Sequence, residues 1–276
     1  MYTAILFTWT DYKTIFFPII SFAYASVSVR STAVFLKACL WIWIHLLLCN
    51  VSNQARTEVE DATNRPWRPL PSGRVTNLQA IALRWVLVFV CIAVSSVFGW
   101  HLVVSTLTLI FTTYMYDELE ISSHGVGKNL CAVGGYLSFE VGAVKIMGES
   151  TTLNPASTRA IYVSLLLIFT TIHTQDFADM EGDLALGRKT LPMYDPEIPR
   201  IATMLIITTW STVLPIVWGI GPISTAGFVA FGSYVSLRFY IWRTAEMDRR
   251  SYLIFNIWLV MAHLLPIQAR AGCISW

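Results

Sequence analysis

An all-α polytopic membrane protein, with about nine transmembrane helices, is the fold class this sequence predicts. Two observations lead there. Hydrophobic residues make up 55% of the chain and charged residues only 13%, whereas an ordinary soluble domain is about a quarter charged. The apolar residues also fall in long runs, each near the ~20 residues that cross the hydrocarbon of a bilayer. The lipid bilayer is therefore the chain's first partner, and one transmembrane domain over 1–276 is expected. A net charge of +2 is too small to argue for a nucleic-acid partner. The cysteines (Cys39, Cys49, Cys91, Cys131, Cys273) are scattered without Cys-x-x-Cys or Cys/His spacing, which excludes a zinc site or a disulfide scaffold as the organising principle.

In chain order, Met1 to Thr10 is apolar but short and reads as an interfacial lead-in. The first span is about Thr14–Val29, ended by Arg30, and the second about Ala33–Gln54. Leu78–Val97 gives the third, interrupted by Arg84, and Trp100–Tyr116 the fourth. The fifth, Gly127–Met147, is glycine-rich, and the sixth runs Ala160–Thr174. Ile201–Ile220, Ile223–Trp242 and Tyr252–Ile267 complete the set. Lys13, the loop bases Arg56, Arg65, Arg68 and Arg74, then Lys128, Arg188, Lys189, Arg200, Arg243, Arg249 and Arg250 all fall on one side. Arg30, Lys37 and Arg159 fall on the other. The positive-inside rule makes the first side cytosolic.

Two polar stretches break this apolar pattern, and both open on the basic side. Asp176, Asp179 and Asp183 are spaced i, i+3, i+7, which on a helix stacks three carboxylates on one face over about 10 Å. Carboxylates that close repel one another unless a cation sits among them. Hard oxygen ligands without His or Cys favour Mg²⁺, which completes its shell with water and substrate phosphate. Arg188 and Lys189 follow at once, the residue types that hold phosphate. The earlier stretch repeats the plan: Asn53, Thr57, Glu60 and Asp61 are expected on one helical face, and Asn64, Arg65, Arg68 and Arg74 follow in a Pro-rich loop. Two such walls face to face would cradle a diphosphate, beneath which an apolar cavity among the helices takes a hydrocarbon tail. Acids just outside a membrane helix are commonly interfacial anchors, but two clusters in the same order argue against that reading. They argue equally against a transporter or purely structural protein, which needs no paired acid-then-base motif.

The motifs are also specific in detail. N-Q-A-R-T-E-V-E-D-A-T-N-R-P-W-R-P-L-P-S-G and D-F-A-D-M-E-G-D-L-A-L-G-R-K-T-L-P resemble the two signatures of the UbiA superfamily of intramembrane prenyltransferases. Asn53, Asp61, Asn64, Pro66, Arg68, Pro69, Pro71, Ser72 and Gly73 match the first. Asp176, Asp179, Asp183, Gly187, Arg188, Thr190 and Pro192 match the second. The resemblance implies a nine-helix UbiA-type bundle with a polar cap over an apolar cavity. It also implies Mg²⁺-dependent ionisation of a prenyl diphosphate. Gln54 and Thr57 stand where the family has Asp, and Glu60-Asp61 supplies a doubled acid. Those departures resemble a fungal branch that includes membrane-bound terpene cyclases.

The expected site follows. Asp61, Asp176, Asp179 and Asp183 are the catalytic acids, and with Asn53 and Glu60 they hold Mg²⁺. Asn53, Asn64, Arg68, Lys128, Arg188 and Lys189 bind the diphosphate. Terpene cyclisation is the expected reaction, with geranylgeranyl diphosphate favoured over farnesyl diphosphate, and the alternative is transfer of the prenyl group to an aromatic or other small acceptor. An endoplasmic-reticulum location with the site facing the cytosol is expected. Tyr114, Tyr116 and Asp117 end the fourth span and Lys128 begins the fifth; a Tyr and a Lys here are diphosphate neighbours by resemblance, or else an aromatic belt with a snorkelling lysine. Glu140 and Lys145 are ionisable groups in or near the fifth span, functional or a structural pair, with Lys145 reaching the far interface as the further alternative. Trp41, Trp43 and Phe139 are candidates to stabilise a carbocation by cation–π attraction, and His45 reads as a hydrogen-bonded core residue.

Overall fold

A computed structural model describes residues 1–185 and 187–276. Leu186, inside the second motif, lies outside the described residues. Among them there is no strand, only a single parallel bridge between His124 and Lys189.

The chain enters through a short helix α1 (Tyr2–Thr8), a 3₁₀ turn (Trp9–Asp11) and a wide π-type turn (Tyr12–Phe16), which runs directly into α2 (Phe17–Ser26). Met1 and Tyr2 are exposed and Phe7 is buried, so the lead-in is a docked helix whose far end packs against the bundle. Then come α3 (Thr32–Gln54), the short α4 (Glu58–Asn64), α5 (Asn77–Val97), α6 (Trp100–Asp117) and α7 (Gly125–Met147). The second half holds α8 (Pro155–Thr171), α9 (Asp176–Ala185), a turn of helix α10 (Leu191–Tyr194), α11 (Ile198–Trp218), α12 (Pro222–Ile241), α13 (Ala245–Leu264) and a terminal turn α14 (Ile267–Ala271).

The nine expected spans fall on α2 with its lead-in turns and on α3, α5, α6, α7, α8, α11, α12 and α13. Six stretches among the described residues are long and apolar enough to cross a membrane by length and composition alone: Thr32–Gln54, Asn77–Val97, Gly125–Met147, Pro155–Leu184, Ile198–Trp218 and Ala245–Ala271. At 23 residues, α3 is about 34 Å long, a full crossing of a hydrocarbon core about 30 Å thick.

Several helices begin earlier than hydropathy predicts, and the caps explain why. α8 starts at Pro155, because Asn154 accepts from Ser157 N at 2.8 Å and proline fits the first helical position. α13 starts at Ala245, where Thr244 accepts from Met247 N. Its polar first turns contain Glu246 and Asp248, which hydropathy discards.

Two larger departures matter for function. Asn53, Thr57, Glu60 and Asp61 do not share one helix. α3 ends at Gln54, Arg56 N and Thr57 N both turn back to Asn53 O, and α4 starts afresh at Glu58. The Asp176 segment likewise is not the last turn of the sixth span. A 3₁₀ turn over Ile172–Gln175 separates α8 from α9. Each acidic segment is thus a short helix hinged off its span, and the two pack on each other.

The core confirms the aromatic filler role of several residues. Trp41 is fully buried, fits the space left by Gly142, and donates to Ser95 Oγ at 2.8 Å. His45 lies 2.8 Å from Trp41 O through Nδ1 and 2.9 Å from Thr106 Oγ1 through Nε2. A carbonyl only accepts, so Nδ1 carries the proton and Nε2 accepts from Thr106. His45 is a satisfied core residue, as its sequence context predicts.

Candidate active site

The hinges after α3 and α8 bring α4 and α9 side by side at one end of the bundle. Their approach is close because residue 182 is glycine: a Cβ there would stand 2.1 Å from Asn64 Nδ2 and 2.8 Å from Glu60 Cγ. Beneath them lies a cavity of about 250 Å³. Its upper wall is charged and includes Asp11, Asn53, Glu60, Arg65, Arg68, Asp117, Lys128, Asp179 and Arg188. Deeper, Leu46, Leu109, Ala132, Phe139 and Ile172 make it apolar. This is the polar cap over an apolar cavity that the motifs imply.

The acids of the cap are held by cations, largely from the opposite wall. Arg65, just after α4, reaches Asp179 on α9 at 2.7 Å. Arg188, just after α9, reaches Glu60 on α4 at 2.8 Å and lies 3.6 Å from Asp183. Arg68 donates to Asp61 Oδ1 at 2.7 Å and to Thr10 Oγ1 at 2.8 Å. Lys128, on α7, stands 2.7 Å from Asp176 and 3.5 Å from Asp183. Burial pushes the Glu60 carboxyl above its usual value, opposed by Arg188 and Lys128. Burial does the same to Asp61, opposed by Arg68 and Arg65. Burial disfavours the charge on Arg65, but Asp179, Asp11 and Asp61 together outweigh it and raise that pKa overall.

Not every expected residue faces the cavity. Asp61, Asp176 and Asp183 are buried at 0% exposure behind its surface. Asn64 packs at the α4–α9 contact beside Gly182, its amide nitrogen without a partner. Lys189 is exposed, its backbone N–H donates to Ser123 O, and it is not among the lining residues. Arg74 lies outside the cap, over the Tyr2 ring. Tyr116 lines the cavity while Tyr114 is exposed. Arg84 pairs with Glu118, as does Arg56. Of the proposed cation-stabilising aromatics only Phe139 lines the cavity. Trp41 lies behind it in edge contact, and Trp43 donates to Tyr12 OH. Glu140 is a structural group: Ser164 donates to it, and His263 sits 4.0 Å away.

Three cap residues carry no distinctive sequence signal. Asp11 comes from the lead-in turn, lone and far from either motif. Gln175 sits in the turn before α9. Asp117 ends α6, where its lining role shows only once Asn53 is placed beside it.

The carboxylates suit a divalent metal by donor type. Asp61 Oδ2, Asp176 Oδ2 and Asp183 Oδ1 are buried and accept no hydrogen bond, which is costly unless a cation completes them, whereas Asp176 Oδ1 already lies against Lys128 Nζ. Among the described residues, however, no three His, Cys, Asp or Glu side chains form a cluster that could hold a metal ion. The expected pair of metal-binding walls is therefore, in this arrangement, a set of acid–base pairs. Arg65, Arg68, Lys128 and Arg188 take the places beside the acids.

The model of the UbiA prenyltransferase family matches residues 14–260. The chain belongs to that family. Among relatives of this UbiA protein, the fumagillin β-trans-bergamotene synthase of Aspergillus fumigatus is 30% identical over 97% of the chain and 92% of the relative. A diterpene cyclase of Hericium erinaceus is 30% identical over 91% of the chain and 82% of its own. A polyprenyl transferase of the same fungus is 26% identical over 91% and 88%. In fold, the UbiA protein matches a solved UbiA homologue from Archaeoglobus fulgidus, itself bound to GPP and Mg²⁺. Their TM-score is 0.67 at 13% identity, over 96% of this chain and 99% of that one. The chain is thus an integral, multi-pass membrane protein of an enzyme family acting on prenyl diphosphates.

Proposed function

We propose that this UbiA protein ionises a prenyl diphosphate with Mg²⁺ and closes the resulting cation on the double bonds of the same chain. The observation that carries the reading is the cavity that grades from charged cap to apolar, Phe139-lined depth. Such a cavity suits a molecule with a charged head and a hydrocarbon tail. The two relatives named as terpene synthase and cyclase, each 30% identical over nine-tenths of the chain or more, support cyclisation over transfer. Geranylgeranyl diphosphate is the favoured substrate, with farnesyl diphosphate next.

Asn53, Glu60 and Asp61 on one wall, and Asp176, Asp179 and Asp183 on the other, are the residues that would hold Mg²⁺, directly or through water. Bound there, the metal supplies charge to the leaving diphosphate. Arg68, Arg188, Lys128 and Lys189 neutralise the rest, with Asn64 as a neutral donor. A diphosphate with its metal offers a new partner to both members of each acid–base pair. Arg65 and Arg188 are then free to exchange carboxylate for phosphate, a bidentate ligand they suit as well. Ionisation breaks the allylic C–O bond, and the electron pair leaves with the diphosphate. A π bond of the same chain attacks the cation, and loss of a proton ends the reaction. Phe139 offers a ring face to the cation, and the apolar walls keep water from capturing it. The distribution of basic residues supports a cap that faces the cytosol, and the endoplasmic-reticulum membrane is the proposed location.

The test is to incubate membranes containing the protein with Mg²⁺ and geranyl, farnesyl or geranylgeranyl diphosphate alone, extract with hexane, and analyse by gas chromatography–mass spectrometry. A cyclic hydrocarbon, lost with EDTA, is the expected result and names the chain length. The polyprenyl transferase relative supports a second reading, prenyl transfer. Turnover that appears only when an aromatic acceptor is added would replace the first reading with it.

A further inference from the structure

Asp117, the last residue of α6, faces the end of α3. Ser52 Oγ donates to its Oδ2 at 2.8 Å, and Asn53 Nδ2 donates to its Oδ1 at 3.0 Å. Ser52 is fully buried and Asp117 is 8% exposed, while both Asn53 and Asp117 line the cavity. Which end of an amide faces a neighbour is settled here by chemistry: an ionised carboxylate only accepts, so the amide must present its NH₂. The carbonyl oxygen of Asn53 is thereby turned away from α6. Among the described residues the Asn53 side chain makes no other hydrogen bond. With the nitrogen anchored, Asn53 shows the cap one hard oxygen in a fixed direction. Without the anchor, the amide is free to rotate and offer a donor to a cation, which repels it.

We infer that Asp117, braced by Ser52, is a positioning residue that orients the Asn53 carbonyl oxygen as a ligand for the divalent metal of the cap. The inference rests on the reading of the cap as a Mg²⁺–diphosphate site. It adds a residue outside both acidic motifs, acting through Asn53 and touching neither substrate nor metal. Partners that orient a metal ligand are worth about 10- to 100-fold in metal affinity.

The experiment is Mn²⁺ binding to the purified protein in detergent, followed by electron paramagnetic resonance in the presence of inorganic pyrophosphate, with steady-state turnover measured against Mg²⁺. Asp117→Ala is expected to weaken Mn²⁺ binding about tenfold or more and to raise the Mg²⁺ concentration for half-maximal rate in step, while kcat at saturating Mg²⁺ changes less than about threefold. Asp117→Asn retains an oxygen to accept from Asn53 and an NH₂ to give to Ser52, so it is expected to rescue most of the loss. The double variant Asn53→Ala/Asp117→Ala is expected to bind no worse than Asn53→Ala alone, because the second residue acts through the first. If Asp117→Ala does not fold, Asp117→Thr, whose hydroxyl stops one bond short of the amide, takes its place in the same cycle. Native-like Mn²⁺ affinity in a folded Asp117→Ala or Asp117→Thr, or additive losses with Asn53→Ala, would overturn the inference and leave the site reading intact. A native protein that binds no Mn²⁺ with pyrophosphate overturns both.

Discussion

The two acidic walls are built from one sequence plan but are held in different ways. On α4 the acids are adjacent, Glu60 and Asp61, so they point to different neighbours: Glu60 to Arg188, Asp61 to Arg68. On α9 the acids are a turn apart, and Lys128 from α7 sits between Asp176 and Asp183. The α9 wall is thus tied into the bundle by a lysine on a long helix. The α4 wall is tied mainly to loops, through Arg68 and through an arginine that follows α9. The lesson is that a repeated motif need not mean equivalent parts. The fixed wall is the one whose charges are answered from a spanning helix.

Substitutions separate the walls most sharply. Asp176→Ala removes the fully buried partner of Lys128, and turnover is expected to fall about 10²- to 10³-fold, the scale for losing one electrostatic stabiliser. Glu60→Ala is expected to cost about tenfold less than that, and equal losses in a kinetic assay would erase the distinction. Next comes the strap across the cap. Arg188→Glu leaves Glu60 facing a like charge and should lower stability by about 3–5 kcal/mol, read as a drop in thermal midpoint in detergent. Adding Glu60→Arg should recover most of that, and an additive double loss would show that the two residues are not coupled.

The smallest effect is in the pH dependence. Glu60 and Asp61 have raised carboxyl pKa values because they are buried. As pH falls they protonate before ordinary carboxylates do, and the charge that would hold a divalent cation is lost. Activity is therefore expected to decline on acidification above the usual carboxylate range. A tenfold rise in Mg²⁺ should move that acid limb down by up to about one pH unit, since metal and proton compete. Stability runs the other way. A raised carboxyl contributes stability below its unfolded pKa, and that contribution is lost as pH rises through the folded value. Glu60→Gln should shift the acid limb. An unmoved limb would assign the titration to another group.

Much of this was readable from the chain, for identifiable reasons. Spans are legible because the bilayer enforces their length, so runs such as Asn77–Val97 announce themselves. The acids were legible because charge beside an apolar run is conspicuous. What hydropathy misses is whatever a cap decides, such as the starts at Pro155 and Ala245. Spacing also misleads across a break: i, i+4, i+7 is one face only if the helix continues, and after Gln54 it does not. Cross-wall pairing was invisible for a related reason. Arg65 and Asp179 are 114 residues apart in sequence, and nothing local marks them as partners. Asp11 and Asp117 were silent as cap residues because single acids at helix ends are common everywhere.

The crossed arginines have a consequence for inheritance. Each acidic segment carries the counter-charge of the other, Arg65 for Asp179 and Arg188 for Glu60. Neither segment is a self-sufficient cassette. A chimera that took residues 53–74 from one relative and 176–192 from another would inherit a working cap only if both parents strapped the same positions. A charge lost from one segment leaves its partner on the other without a counter-charge.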